Sequence, residues 1–228
     1  MIFAKRVMPK SPLVIAIDGP SASGKSTNAR RVAQELGFVY VDTGAMYRSF
    51  AWFCVTSRID LDNAKAVGAG LRKWKPTLVE VDKQVRLLVG GYFPEKEIRT
   101  AEVTAAASQV AAVPAVRKWM KTTQQECPKF GSLVMEGRDI GTNVFPETDY
   151  KYFIDASREE RSRRRAAEGV TDNLAERDHR DSQRASAPLM IPLGAKVIET
   201  TGQTPEETCA LILSDIRQRL KAAGRKMP

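Results

Sequence analysis

Aromatic residues make up only 7% of this chain of 228 residues, and there is a single histidine, His179. Cysteines number three (Cys54, Cys127 and Cys209), far apart and with no C-x-x-C pair. So scattered and odd a set excludes a disulfide framework, and with one histidine it gives no metal-site spacing. Reduced thiols in a cytosolic protein are the simplest reading. No apolar run reaches the roughly 18 residues that a membrane-spanning helix needs. The N-terminus, MIFAKRVMPKSP, has charges but no apolar stretch of signal-peptide length, so secretion is not expected. Low-complexity segments and internal repeats are absent as well. A hydrophobic content of 43% is enough for one good core, and the length suits one domain with an inserted subdomain.

Charge is plentiful, and it is unbalanced. The net charge of +9 suits either a nucleic-acid surface or a pocket that gathers several phosphates. Basic residues concentrate at 158–165 (REERSRRR), at 177–184 (RDHRDSQR) and near the C-terminus (RQRLKAAGRK). No aromatics are interleaved with the first two clusters, which weakens a base-stacking, single-strand-binding reading.

Hydrophobic patterning gives the order of elements. Leu13 to Ile17 is a short apolar run, read as a buried strand. Ser26 to Leu36 reads as a helix stopped by Gly37, Phe38 to Val41 as a second strand, Asp42-Thr43-Gly44 as a turn, and Ala45 to Ser57 as a helix. A polar helix is expected over 62–74, a hairpin around Asp82-Lys83-Gln84, and helices at 101–110 and 114–126. Strands then recur at Leu133 to Met135, Tyr150 to Ile154 and Lys196 to Glu199, with helices over 157–168, 172–187 and 205–222. The alternation predicts an α/β fold with a mostly parallel, helix-covered sheet. Residues 1–12 read as a tail, 13–57 and 131–228 as the core, and 58–130 as an insertion.

The strongest local signal is GPSASGKS, which follows the first strand and opens the first helix. Gly19, Gly24, Lys25 and Ser26 satisfy G-x-x-x-x-G-K-[ST], a loop whose backbone N–H groups cradle nucleotide phosphates. The ATP-binding set is therefore Gly19, Pro20, Ser21, Ala22, Ser23, Gly24, Lys25, Ser26 and Thr27. Lys25 would reach the β- and γ-phosphates, and Ser26 would hold Mg²⁺. No NKxD tetrad is present, which disfavours a GTPase.

Other segments leave alternatives open. VMEGRDIGT ends a buried strand with Glu136, Arg138 and Asp139, at the sheet end where ligands collect in open parallel sheets. Glu136 suits support of Mg²⁺, or else belongs to an ordinary strand-end turn. On a helix, Arg177, Arg180, Asp181 and Arg184 share one face, and three arginines in one stripe favour a phosphate site over a solvated face. Arg158, Arg161 and Arg165 also share a face, but no individual roles follow. Thr43, Tyr47 and Arg48 stand just past the second strand, and sequence alone leaves them equally readable as packing and surface residues.

Taken together, IDGPSASGKST, VDTGAMYR, EIRTAEVTAAASQVAAVPAVR, EGRDIGTNVFPETD, FIDASREER and ERDHRDSQRASAPL resemble the bacterial-type cytidylate kinases, P-loop nucleoside monophosphate kinases. The phrases run in family order across nearly all of residues 13–222. The resemblance implies γ-phosphoryl transfer from ATP to CMP or dCMP with Mg²⁺, in a mostly parallel five-stranded core with an inserted monophosphate-binding subdomain and a short helical lid at about 158–190. It implies that Ser108, Arg117 and Asp139 face the cytosine, that Arg48, Arg138 and Arg184 hold the acceptor phosphate, and that Arg177 and Asp181 lie near the sugar. Lys25, Arg138 and Arg184 would then be catalytic, Ser26 and Glu136 would serve the metal, and Thr43 and Tyr47 would join the CMP site. A cytoplasmic monomer with no nucleic-acid or membrane partner is the accompanying expectation. Two readings compete with it: a kinase acting on a small-metabolite hydroxyl, for which Asp42 is the nearby candidate base, and a basic nucleic-acid-binding module with an ATP switch.

Overall fold

The first strand shows how the sequence dictates the architecture. In β1 (Val14–Asp18, VIAID) Ile15 and Ile17 point to one side and Ala16 to the other, and all three are buried. A strand that is apolar on both faces must lie inside a helix-covered parallel sheet. The computed structural model, which describes residues 12–167, 178, 182 and 187–224, has that arrangement.

β1 pairs in parallel with β5 (Leu133–Gly137) on one side and β6 (Tyr150–Asp155) on the other. β2 (Val39–Asp42) lies outside β5, and β7 (Lys196–Glu199) lies outside β6. These five parallel strands match the expected core. The hairpin of β3 (Thr77–Val81) and β4 (Gln84–Leu88) extends the sheet to seven strands, in the order β3-β4-β2-β5-β1-β6-β7. The hairpin turn places Asp82 and Lys83 at φ 51° and 60°, the paired left-handed conformation of a two-residue turn that matches strand twist. A single residue pair, Tyr40 with Gln84, ties β4 to β2.

Alternation along the strands divides the core in two. Ala16, Val39, Val41, Leu133 and Met135 face α2 (Thr43–Thr56) and the helices of 58–130, namely α3 (Ala64–Lys73), α4 (Ala101–Val110) and α5 (Pro114–Gln125). Ile15, Ile17, Tyr40, Val134 and Ile154 face α1 (Lys25–Leu36) and α7 (Pro205–Ala222). α7 begins with Pro205 behind a reciprocal cap, in which the Thr204 side chain accepts from the Glu207 amide and Glu207 accepts from the Thr204 amide. α6 (Arg158–Ala167) follows β6, and none of the described helices is long and apolar enough to cross a membrane. The helix expected over 172–187 lies largely outside the described residues.

One local expectation is corrected. Asp42-Thr43-Gly44 is not a free turn, because α2 already starts at Thr43 with Asp42 as its cap, accepting from the Ala45 amide at 2.7 Å. A carboxylate directly before a run with helical periodicity satisfies an otherwise orphaned N–H, and that favours helix over turn.

The larger half of the core centres on aromatics. Phe50 is fully buried, with its ring centroid 5.0 Å from that of Trp74, which in turn lies 5.1 Å from Trp119. Phe50→Ala is expected to lower unfolding stability by about 3–5 kcal/mol, because it removes apolar contact and leaves a cavity among rigid rings. Urea denaturation at unchanged slope checks this, and a loss under 1 kcal/mol would contradict the packing described.

Candidate active site

The carboxyl ends of β1, β2 and β5 bring Asp18, Asp42 and Glu136-Gly137 side by side, since Asp18 pairs with Gly137 and Asp42 with Glu136. The glycine loop leaves the end of β1 at this point. Gly19 has φ 152°, and a Cβ there would stand 2.0 Å from the carbonyl oxygen of Ile154, so only glycine lets the loop cross β6. Lys25, buried at the start of α1, donates from Nζ to the Pro20 carbonyl at 2.6 Å. The ammonium is thus curled back over the loop that the motif builds.

The loop is braced from α6. Arg161 donates to the Ser21 carbonyl at 3.2 Å and pairs with Asp178 at 2.7 Å. Arg164 donates to the Ala22 carbonyl at 3.4 Å and to the Thr200 carbonyl at 2.8 Å, and it is held by Glu160. Thr200 in turn donates to the Ser23 carbonyl at 3.0 Å. Only part of the run REERSRRR is therefore a solvated face: Arg163 is exposed, whereas Arg161 is 8% exposed and turned onto the loop.

Glu136 lies buried at the end of β5 and accepts from the Tyr40 hydroxyl at 2.6 Å. Burial and the neighbouring Asp42 push its carboxyl above the usual range, while Lys25 and hydrogen bonds from Tyr40 and Ser26 pull it back. Ser26 and Glu136 are thus together, as their proposed common duty requires. The Tyr40 phenol is itself driven well above its ordinary value, chiefly by burial and then by Glu136. It stays a proton donor.

Thr43 donates from Oγ1 to the backbone carbonyl of Glu136 at 2.7 Å, tying the start of α2 to β5. Between them Gly137 admits no side chain, because a Cβ would stand 2.7 Å from both Thr43 Oγ1 and Ile140 Cδ1. Arg48 is half-buried and pairs with Asp42 at 3.1 Å, and Tyr47 is half-buried against the larger core cluster. The Nε–H of Arg48 is buried with no hydrogen-bond partner among the described residues.

After β5 the chain makes a single wide turn. The amides of Val144 and Phe145 bond to carbonyls five residues back, those of Asp139 and Ile140. Asp139 is buried, and its Oδ2 receives Arg117 of α5 at 2.6 Å and the Asn143 amide at 2.9 Å. Arg117 is 6% exposed, and its Nε–H also lacks a partner among the described residues. Arg138 is half-buried and donates to the Gly137 carbonyl at 3.4 Å. Ser108 lies half-buried on α4, whereas Arg177, Asp181 and Arg184 fall outside the described residues.

Beneath this turn sits a residue that the sequence reading passed over. Asp18 is fully buried, and its two carboxylate oxygens accept the Ile140 amide at 2.8 Å and the Gly141 amide at 2.7 Å. Burial pushes its carboxyl up to about 7, against the lowering effect of those two amides. An acid at the end of an otherwise apolar strand was the available signal. Tyr40 and Arg164 were missed too, and Arg161 was given no role, because their partners at the site lie far away in sequence.

A family model for cytidylate kinase matches residues 15–218. A cytidylate kinase of Ligilactobacillus salivarius is 38% identical over 91% of this chain and 97% of its own length. A cytidylate kinase of Desulfitobacterium hafniense is 42% identical over 90% of this chain and 93% of its own. A bifunctional pantoate ligase/cytidylate kinase of Nostoc is 40% identical over 91% of this chain, which spans 42% of that longer protein. With so much of the chain matched, and with the phosphate loop and the Arg117–Asp139 pair set at one end of the sheet, the chain belongs to the cytidylate kinase family.

Proposed function

We infer that this member of the cytidylate kinase family transfers the γ-phosphoryl group of ATP to CMP or dCMP, giving CDP or dCDP. The observation that carries the reading is the buried Arg117–Asp139 pair at the same sheet end as the phosphate loop. Both described donors to Asp139 meet Oδ2, so Oδ1 is the atom that would accept from the cytosine C4 amine. Arg117 would turn its unpartnered Nε–H edge to N3 or O2, with Ser108 completing the set. Region 58–130, which supplies Ser108 and Arg117, then acts as the acceptor-binding subdomain, and the core of 13–57 and 131–228 binds ATP through residues 19–27.

The acceptor phosphate would be held by Arg48, Arg138 and Arg184, with Thr43 and Tyr47 at the rim and Arg177 and Asp181 near the sugar. An acceptor phosphate oxygen attacks the γ-phosphorus in line, and the bond from that phosphorus to the β–γ bridging oxygen breaks as ADP leaves. The attacking oxygen is already ionised, so no side-chain base is required. Alignment, together with Lys25, Arg138 and Arg184 facing the charge on the transferred group, supplies the catalysis. The hydroxyl of Ser26 and the carboxylate of Glu136 form an oxygen donor set that suits Mg²⁺ bound mainly through phosphates and water. When bound there, the ion neutralises charge on the phosphate oxygens. Closure of the segment 158–190 over the site would exclude water.

A hydroxyl kinase is the weaker reading, because its base is already engaged. Asp42 Oδ1 accepts from the Ala45 amide, and Oδ2 pairs with Arg48. The nucleic-acid reading loses Arg161 and Arg164, which turn onto the phosphate loop. The enzyme is read as a cytoplasmic monomer, a setting that its three buried free thiols suit.

An acceptor panel of CMP, dCMP, UMP, AMP and small alcohols tests the assignment. Uracil places an acceptor before Asp139 and a donor before Arg117, and such mispairing in a dry site discriminates by up to about 10⁴-fold. CMP is expected to be preferred clearly over UMP, and Asp139→Ala should cut that preference by about 10-fold or more while leaving ATP affinity nearly unchanged. Equal rates with UMP, or an unaltered ratio in Asp139→Ala, would end the assignment of the base pocket. Lys25→Ala should lower kcat by about 10²–10³ with the fold intact by circular dichroism. A near-normal kcat would show that the glycine loop does not hold the transferred phosphate.

A further inference from the structure

We propose that Asp18 is a positioning residue for acceptor recognition: rooted in the strand that carries the phosphate loop, its carboxylate fixes the turn 139–144 so that Asp139 and Arg117 are set before the acceptor arrives. The inference rests on the CMP reading above and extends it to a residue that touches neither nucleotide.

The turn after β5 has an unusual need. Its wide hydrogen-bonding pattern uses the carbonyls of Asp139 and Ile140, but it leaves the first N–H groups, those of Ile140 and Gly141, without partners of their own. Both residues are buried, so water is not at hand. The two oxygens of Asp18 take one amide each. A single rigid, two-pronged acceptor therefore fixes the direction in which the turn leaves β5. Asp139, the residue immediately before Ile140, is oriented by that anchor, and through its 2.6 Å contact so is the buried guanidinium of Arg117. Asn143, which sits within the same turn, donates to the same oxygen of Asp139 and closes the unit.

Stability alone accounts poorly for such a residue. A carboxylate at the interior end of an apolar strand resists burial, and a polar group so placed is best attested where it enforces one geometry over others. Here the geometry is a link between two halves of the site. β1 ends in Asp18 and continues directly into the phosphate loop, while the turn carries the base-reading pair. Asp18 sets their mutual distance.

Asp18→Asn keeps the shape but offers one acceptor and turns an NH₂ group toward the other amide. In steady-state assays the KM for CMP should rise about 10-fold and the CMP:UMP ratio of kcat/KM should fall about 10-fold, with the KM for ATP changed by less than about twofold. In Asp18→Asn/Asp139→Ala the ratio should fall no further than in Asp139→Ala alone, as expected for residues acting through one contact. If ATP and CMP parameters worsen together with the ratio intact, or if the double variant is additive, Asp18 merely supports the fold and the proposal is wrong. Amide hydrogen exchange on the wild-type protein gives a readout independent of activity and of whether the variant folds. The Ile140 and Gly141 amides should be protected at least about 10-fold without nucleotide, and CMP should add little. Free exchange that slows only when CMP is added would overturn the preset turn. A wild type that does not prefer CMP would sink the CMP reading and leave the exchange result standing.

Discussion

A parallel strand buried on both faces cannot display chemistry along its length, and the architecture of this protein follows from that constraint. β1 and β5 have apolar side chains above and below the sheet, so polar groups can occur only at their ends. Parallel pairing puts those ends together. Asp18, Asp42, Glu136 and the glycine loop are neighbours because the strands that carry them run the same way and in register. The active end of the sheet is a by-product of burying the rest.

The same constraint concentrates like charge. Asp18 and Glu136 are both held in the interior, where a carboxylate is poorly solvated, and both have raised affinity for protons. What keeps such a place tolerable is a set of directed donors: two backbone amides for Asp18, and a phenol, a serine hydroxyl and the nearby ammonium for Glu136. A basic surplus of +9 suits a protein in which some arginines turn onto backbone carbonyls as well as onto acidic side chains. Arg161 and Arg164 illustrate this, since their guanidinium groups meet the outward carbonyls of Ser21 and Ala22.

Much of this was legible in the chain itself. The buried strands, the glycine loop, the hairpin and most of the helices are local patterns. Among the described residues they lie close to where the pattern put them, α2 beginning two residues early and the helix expected over 172–187 lying largely outside the described residues. The pairing of Arg117 with Asp139 was foreshadowed only through resemblance, since 22 positions separate them and nothing local joins them. Long-range partners defeated the sequence reading elsewhere. Tyr40 reaches Glu136 across 96 positions, and Asp18 reaches Ile140 across 122. Asp42 was misplaced for the opposite reason: the run Asp42-Thr43-Gly44 looks like a turn until the helix that Asp42 caps is seen. The seven-stranded sheet escaped notice because β4 joins β2 through one residue pair, too slight a contact to leave a pattern.

The division of the core by the sheet has a practical consequence for following its dynamics. Cys54 and Cys127 are buried with the aromatic face, whereas Cys209 is buried with the face that packs α1 and α7. Burial pushes the Cys54 and Cys127 thiols up to about 12 and raises that of Cys209, so none presents a reactive thiolate while the fold is closed. The native chain thus carries its own chemical reporters, two thiols on one side of the sheet and one on the other. Alkylation timed at each thiol separates the opening of one layer from that of the other without any label being introduced.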